Sequence, residues 1–364
     1  LKQNKLIVLA VALLLLLAAA IPAWAGEEEV ETASVQLSLE DAVSKALNNS
    51  KYLSSLEKEV DLQDELMDQA MTNVYYTPVD RNYGQAQKSA FMSYYNQDMS
   101  LKRAKKNLEN EKLQLVVDTR KAYFDVLTGN KSIAAKEKAI SVDELKLKQA
   151  KAKLAVGMAT DSDIKTAEAQ LASDKASLEE AKAALDTAYT QLITYTGLEE
   201  GTRPVLTSDI EVEFKPIDDV ERTARVAADG SYELWSAEEA ARLADTMKIF
   251  QTYIDVGEYN KDIANLTAES TEENIRLQLR DMCNSINTLL EKRNQLLVQK
   301  DQLEESCRVL QLQYDLGMTT KDALESAQAS LVGVDASISE LSAQYATSMD
   351  TLDKYMGKIK IEKD

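Results

Sequence analysis

The chain has 364 residues, 61 acidic against 42 basic, and a formal net charge of −19. Such a polyanion repels nucleic acid and anionic lipid surfaces, so no nucleic-acid partner is expected. Histidine is absent and only two cysteines occur, which removes the usual general base near neutral pH and the commonest metal ligand. No glycine-rich phosphate loop, metal-ligand spacing or nucleophile–base pair stands out. The chain is expected not to be an enzyme and to need no cofactor.

At the N-terminus, Lys2 and Lys5 precede an apolar run from Leu6 to Ala20, then Pro22-Ala23-Trp24-Ala25 and the acidic Gly26-Glu27-Glu28-Glu29. This order reads as a signal peptide over residues 1–25 with cleavage after Ala25, followed by an acidic spacer over 26–36. The alternative is an uncleaved anchor, although the run is shorter than the ~20 residues of a spanning helix. Ser38-Leu39-Glu40-Asp41 then offers a capping box, and Ser236-Ala237-Glu238-Glu239 is its counterpart in the second half.

The first helix is expected from about Leu39 to Val74, with the tract Tyr75–Tyr95, which holds Pro78 and Gly84, as an interruption. Six aromatic residues make that tract a degenerate membrane hairpin, an interfacial anchor or a packed loop. A long helix is expected from about Gln97 to Val156, spanning ~90 Å at 1.5 Å per residue. Gly157 supplies the left-handed reversal, Thr160 with Asp163 caps the return helix, and Tyr195-Thr196-Gly197 ends it. Residues 199–235 form a connector in which Ile210-Glu211-Val212-Glu213-Phe214 alternates like a short strand. The second half is expected to repeat the scheme, with a helix from about Ala237, a long helix from about Thr271 to Leu316, a turn at Gly317, and a return helix to Tyr355-Met356-Gly357. Cys283 and Cys307 lie on that long helix, ~36 Å apart, and cannot pair within it.

The halves form a tandem repeat. Arg120, Gly157, Met158, Thr160, Leu171, Leu192, Tyr195 and Gly197 recur as Arg280, Gly317, Met318, Thr320, Leu331, Leu352, Tyr355 and Gly357, all at an offset of 160 without a gap. Val126, Ile133, Ile140, Leu147 and Leu154 stand at strict sevens, as do Met282, Leu289, Leu296, Leu303 and Leu310. Such stripes are coiled-coil seams. The fold class is therefore all-α: two tandem long antiparallel helical hairpins, over residues 37–198 and 236–359, with a short tail at 360–364.

The ordered motifs Leu37-Ser38-Leu39-Glu40-Asp41-Ala42, Ala122-Tyr123-Phe124-Asp125-Val126-Leu127, Val156-Gly157-Met158-Ala159-Thr160 and Leu316-Gly317-Met318-Thr319-Thr320 resemble those of the TolC-like outer-membrane efflux protein family. The resemblance implies a homotrimer whose hairpins close into a periplasmic α-barrel working with an adaptor protein and an inner-membrane pump. It also implies a place in the cell envelope. By the same resemblance, Gly157, Met158, Thr160, Gly317, Met318 and Thr320 form the adaptor-docking turns, and Asp163, Asp322 and Glu325 are aperture acids. Acids in a first turn also favour the helix dipole whatever the function. The family's membrane barrel needs two strands of ~9–11 residues per half. The tract Tyr75–Tyr95 offers few alternating residues and Tyr259–Arg280 offers none, so little or no β-barrel is expected. The alternative is a non-conducting envelope coiled coil.

Overall fold

The computed structural model describes residues 35–76, 84–251 and 253–360. The expected signal peptide, nearly all of the acidic spacer, the centre of the Tyr75–Tyr95 tract at 77–83 and most of the tail lie outside them. In chain order the elements are β1 (Gln36–Leu37), α1 (Leu39–Asn49), α2 (Lys51–Tyr76), α3 (Gln85–Ala155), α4 (Asp161–Thr196), β2 (Val205–Leu206), α5 (Val220–Asp229), α6 (Tyr232–Met247), a 3-10 turn (Lys248–Phe250), α7 (Ile254–Asp315) and α8 (Lys321–Tyr355). The 71 residues of α3 and the 62 of α7 extend ~106 and ~93 Å at 1.5 Å per residue.

Several boundaries differ from expectation, each for a local reason. The first helix is two helices, because Ser50 leaves helical geometry (φ −69°, ψ 107°) and its hydroxyl accepts the Leu53 N–H at 3.1 Å, capping α2. The aromatic tract is largely helix. α2 runs to Tyr76, α3 begins directly after Gly84, and Phe91 and Tyr95 pack on Phe250 with ring centroids 6.1 and 6.0 Å apart. In the second half the caps are Asp219 for α5 and Ser231 for α6, so Ser236 is an interior residue of α6 and the expected connector already holds a helix. The alternating stretch 210–214 has no strand partner. Its Ile210, Val212 and Phe214 instead pack into the hydrophobic cores, and the two-residue parallel pairing falls at Gln36–Leu37 with Val205–Leu206. α7 begins at Ile254, some seventeen residues before the expected start at Thr271.

Caps also reveal a second offset. Ser38 and Asp219, Ser50 and Ser231, and the core leucines Leu53 and Leu234 all stand 181 apart, whereas the long and return helices match at 160. Met247, where α6 ends, thus corresponds to Leu66, yet α2 runs on to Tyr76; Ile254, where α7 starts, corresponds to Tyr94, yet α3 starts at Gln85. The α2–α3 hairpin is therefore longer by about ten residues per arm, ~15 Å of helix.

In the half nearer Gly157 and Gly317, the packing order is α4, α3, α8, α7; in the other half it is α2, α3, α6, α7. The chain is one layer of helices whose edges are α7 on one side and the α2/α4 line on the other. Two cores fix the layer at matched positions. One contains Tyr123, Val126, Leu185 and Leu192, and the other Cys283, Ile286, Tyr345 and Leu352.

A collar of polar contacts ties the linking segments to these cores. The Tyr123 hydroxyl accepts the Ser208 N–H at 2.9 Å and lies 3.1 Å from the Leu37 carbonyl. The Tyr345 hydroxyl accepts the Lys215 N–H at 3.0 Å and donates to the Lys215 carbonyl at 2.8 Å. Asn287 brackets Ile217, accepting its N–H at 2.8 Å and donating to its carbonyl at 3.0 Å. The Arg293 guanidinium lies 3.6 Å from the Phe214 ring centroid. These bonds satisfy backbone groups that irregular chain would otherwise leave unpaired.

Candidate functional site

The two glycine turns share one construction. At the end of α3, the Gly157 N–H donates to Leu154 O at 2.9 Å and the Met158 N–H to Lys153 O at 2.8 Å. At the end of α7, the Gly317 N–H donates to Tyr314 O at 2.9 Å and the Met318 N–H to Gln313 O at 2.7 Å. Both are Schellman motifs, which need a left-handed residue at the turn, and the glycines have φ +74° and +69°. Nothing lies within 4 Å of a side chain added at either glycine, so the backbone conformation and not space demands glycine here. Each turn exposes an apolar pair: Val156 and Met158 at one, Leu316 and Met318 at the other, every one at least 70% exposed.

The threonines part company. Thr160 and Asp163 form a closed capping box, in which the Thr160 N–H reaches Asp163 Oδ2 at 2.7 Å and the Asp163 N–H reaches Thr160 Oγ1 at 3.3 Å. The backbone amide, then the hydroxyl, of Thr160 holds the Asp163 carboxyl below its ordinary range. At the second turn Ala323 stands in place of that carboxylate, and Thr320 caps α8 through no side-chain bond. Asp322 is instead held low by the Thr320 hydroxyl and the Gln149 amide. Glu325 pairs with Lys138 of α3 across the contact between the repeats, and its carboxyl is lowered chiefly by that bond. Asp163 takes the capping partner that the sequence pattern predicts, whereas the partner of Glu325 was not foreseen: the heptad pattern gives no sign that Lys138 and Glu325 face one another.

Cys283 is buried and Cys307 half-buried, both unpaired, and burial pushes both thiols up. Among the described residues no group of acids, cysteines or histidines is arranged to hold a metal ion, and no helix is long and apolar enough to cross a membrane.

Residues 93–198, spanning most of α3, the first glycine turn and α4, match the family model described as outer membrane efflux protein. The chain carries an outer membrane efflux protein domain. No curated protein matches the sequence. Among solved structures, the Campylobacter jejuni CmeC outer membrane channel is similar at 13% identity and TM-score 0.59, over 90% of this chain and 87% of that one. The Vibrio cholerae outer membrane protein VceC gives 13% and 0.61, over 88% and 96%. The open-state Neisseria gonorrhoeae MtrE outer membrane channel gives 14% and 0.56, over 88% of each. These likenesses establish the fold: the efflux protein domain here adopts the helical architecture of outer-membrane channels, with two two-residue strands among the described residues.

Proposed function

We propose that this efflux protein domain serves an export duct of the cell envelope, in which three copies close their helical layers into a hollow α-barrel. The glycine turns would meet the helical hairpins of a periplasmic adaptor that links the duct to an inner-membrane pump. The observation that carries this reading is the pair of matched Schellman turns, each offering two exposed apolar residues at the end of an otherwise charged coiled coil. Exposed apolar pairs on rigid turns are what a helical partner buries when it docks. Asp163 and Asp322, one turn into the return helices, lie where they could set the charge of the aperture, while the partnered Glu325 holds the repeats together there.

Cysteines introduced at Met158 and Met318 test the docking. In cells co-expressing an adaptor, crosslinks from both positions are expected; crosslinks confined to the opposite end, at Tyr259 for example, would reverse the orientation. The non-conducting alternative draws on one observation, that residues 85–95 and 254–266 are helix and not strand. It predicts adaptor crosslinks without restored export in an efflux-deficient strain.

A further inference from the structure

The two long hairpins differ in kind at one level of their seams. In the first, the ion pairs Glu144–Lys175 at 3.1 Å and Lys151–Glu168 at 3.2 Å fix the register of α3 against α4, and that register sets Asp143 across from Asp174. The two carboxyls meet within hydrogen-bond reach, and Asp143 is 8% exposed. In the second hairpin Lys300 pairs with Asp335 at 2.8 Å between α7 and α8, and the positions equivalent to the two acids hold Leu303 and Val334. What is an ordinary apolar pair in one repeat is a pair of acids in the other.

The charges around the pair do little to offset it. On α3, Lys146 reaches Asp143 at 3.4 Å, but its side chain is 52% exposed and screened by solvent; Lys136 acts on Asp174 without a bond. On α4, the Gln170 amide donates to the Asp174 oxygens at 3.2 and 3.3 Å, and Lys175 is taken by Glu144. The charged groups that α8 brings to this stretch are engaged elsewhere: Glu325 with Lys138 and Lys321, Asp322 with Thr320 and Gln149. Two adjacent carboxylates in a buried seam do not both ionise freely. We propose that Asp143 and Asp174 form a proton-dependent latch in the first hairpin: one proton held between them closes α3 on α4 at this level, and its loss sets two like charges face to face and loosens the stretch. The latch stands fourteen residues, ~21 Å of helix, before Gly157, and it does not depend on the duct reading. Burial, then the bond with Asp174, raises the Asp143 carboxyl above its ordinary value, and the bond with Asp143 chiefly lowers that of Asp174. The contribution of Asp143 is complete below the unfolded value near 3.8 and lost as pH rises through its raised folded value; that of Asp174 is present above 3.8 and lost as pH falls through its lowered one. The seam is therefore tightest between those two folded values and looser at neutral pH.

Hydrogen exchange read by mass spectrometry on the full chain tests it, over residues 139–147 and 170–178 and over their equivalents 299–307 and 330–338. Asp143→Asn and Asp174→Asn each imitate the protonated partner. At pH 7.5 either should raise protection in the first hairpin about threefold or more over the unsubstituted chain, and at pH 3.5 that difference should vanish. The double asparagine variant should gain no more than either single one, because one proton is enough to close the latch. Asp143→Leu with Asp174→Val, the pair of the second hairpin, should give high protection at both pH values and shows that the stretch folds without its acids. The second hairpin should be unchanged in every variant. The latch is overturned if neither asparagine raises protection at pH 7.5, if the difference persists at pH 3.5, or if the two gains add.

Discussion

The two cores solve one packing problem with the tyrosine on opposite helices. In the first repeat Tyr123 sits on the long helix α3, in a core to which the return helix contributes Leu185. In the second, the position of Tyr123 is Cys283 on α7 and the position of Leu185 is Tyr345 on α8. At these two positions each core holds one large ring and one smaller side chain, so the aromatic changes helices between the repeats. Either way the hydroxyl ends in the collar, on Ser208 or on Lys215. What the repeats preserve is a buried hydroxyl that fastens the linking segment, and the helix supplying it is free to vary.

A second matched pair differs in the same spirit. Where α4 abuts the end of α1, Asn49 donates to the Thr196 carbonyl at 2.8 Å. Where α8 abuts the end of α5, the equivalent residue is Gly230, and a Cβ there would stand 1.9 Å from the Tyr355 carbonyl oxygen. One junction is closed by a side-chain bond, the other by bare backbone contact.

The largest expected effect comes from placing a ring in both halves of one core. Cys283→Tyr overfills a site with no exposure and should lower stability by about 3 kcal/mol, read as a fall in the denaturant midpoint. Cys283→Ala, which adds no volume, should cost far less; if the two variants lose stability equally, overfilling is not the cause. Gly230→Ala should come next, at about 2 kcal/mol, because the clash is with backbone that can yield only by separating α8 from the end of α5. Tyr123→Phe and Tyr345→Phe keep the rings and orphan the collar amides, at about 1–2 kcal/mol each; a silent result at either would show that the hydroxyls fasten nothing. Asn49→Ala should lose about 1 kcal/mol.

The smallest effect distinguishes the two turns. The Asp163 carboxyl has its pKa lowered in the folded state, so its stabilising bonds are present above the unfolded value near 3.8 and lost as pH falls through the lower folded value. Hydrogen exchange at the Thr160 amide should accelerate on acidification through that range. The Thr320 amide, which faces Ala323, should not show this step, and Asp163→Ala should abolish it at Thr160.

The parts of the fold legible in the sequence were those set by backbone chemistry or long periodicity. Glycine at a left-handed turn, threonine with aspartate three residues later, and apolar residues at strict sevens have few alternative readings, so both hairpins and both turns were located closely. The short helices were not. Ser236 with Glu239 imitates a capping box, yet it lies within α6, whose true cap at Ser231 is followed by Tyr232 and Glu233 and announces nothing by pattern. α5 packs through Ala224, Ala227 and Ala228, but its ten residues are fewer than the window over which a helical period stands out. Pro78 and Gly84 suggested a long interruption, but α3 begins directly after Gly84, and aromatic residues there serve a helix as well as any strand. At the candidate site, the partnering of Glu325 with Lys138 depends on two residues 187 apart, which neither local spacing nor charge count reveals.

The unequal arms of the two upper hairpins bear on what such a duct could touch. In a closed ring of copies the rim opposite the glycine turns would be crenellated, tall merlons of α2–α3 alternating with low embrasures of α6–α7. A flat surface laid across it would rest on the merlons alone, and the embrasures would stay open as lateral windows.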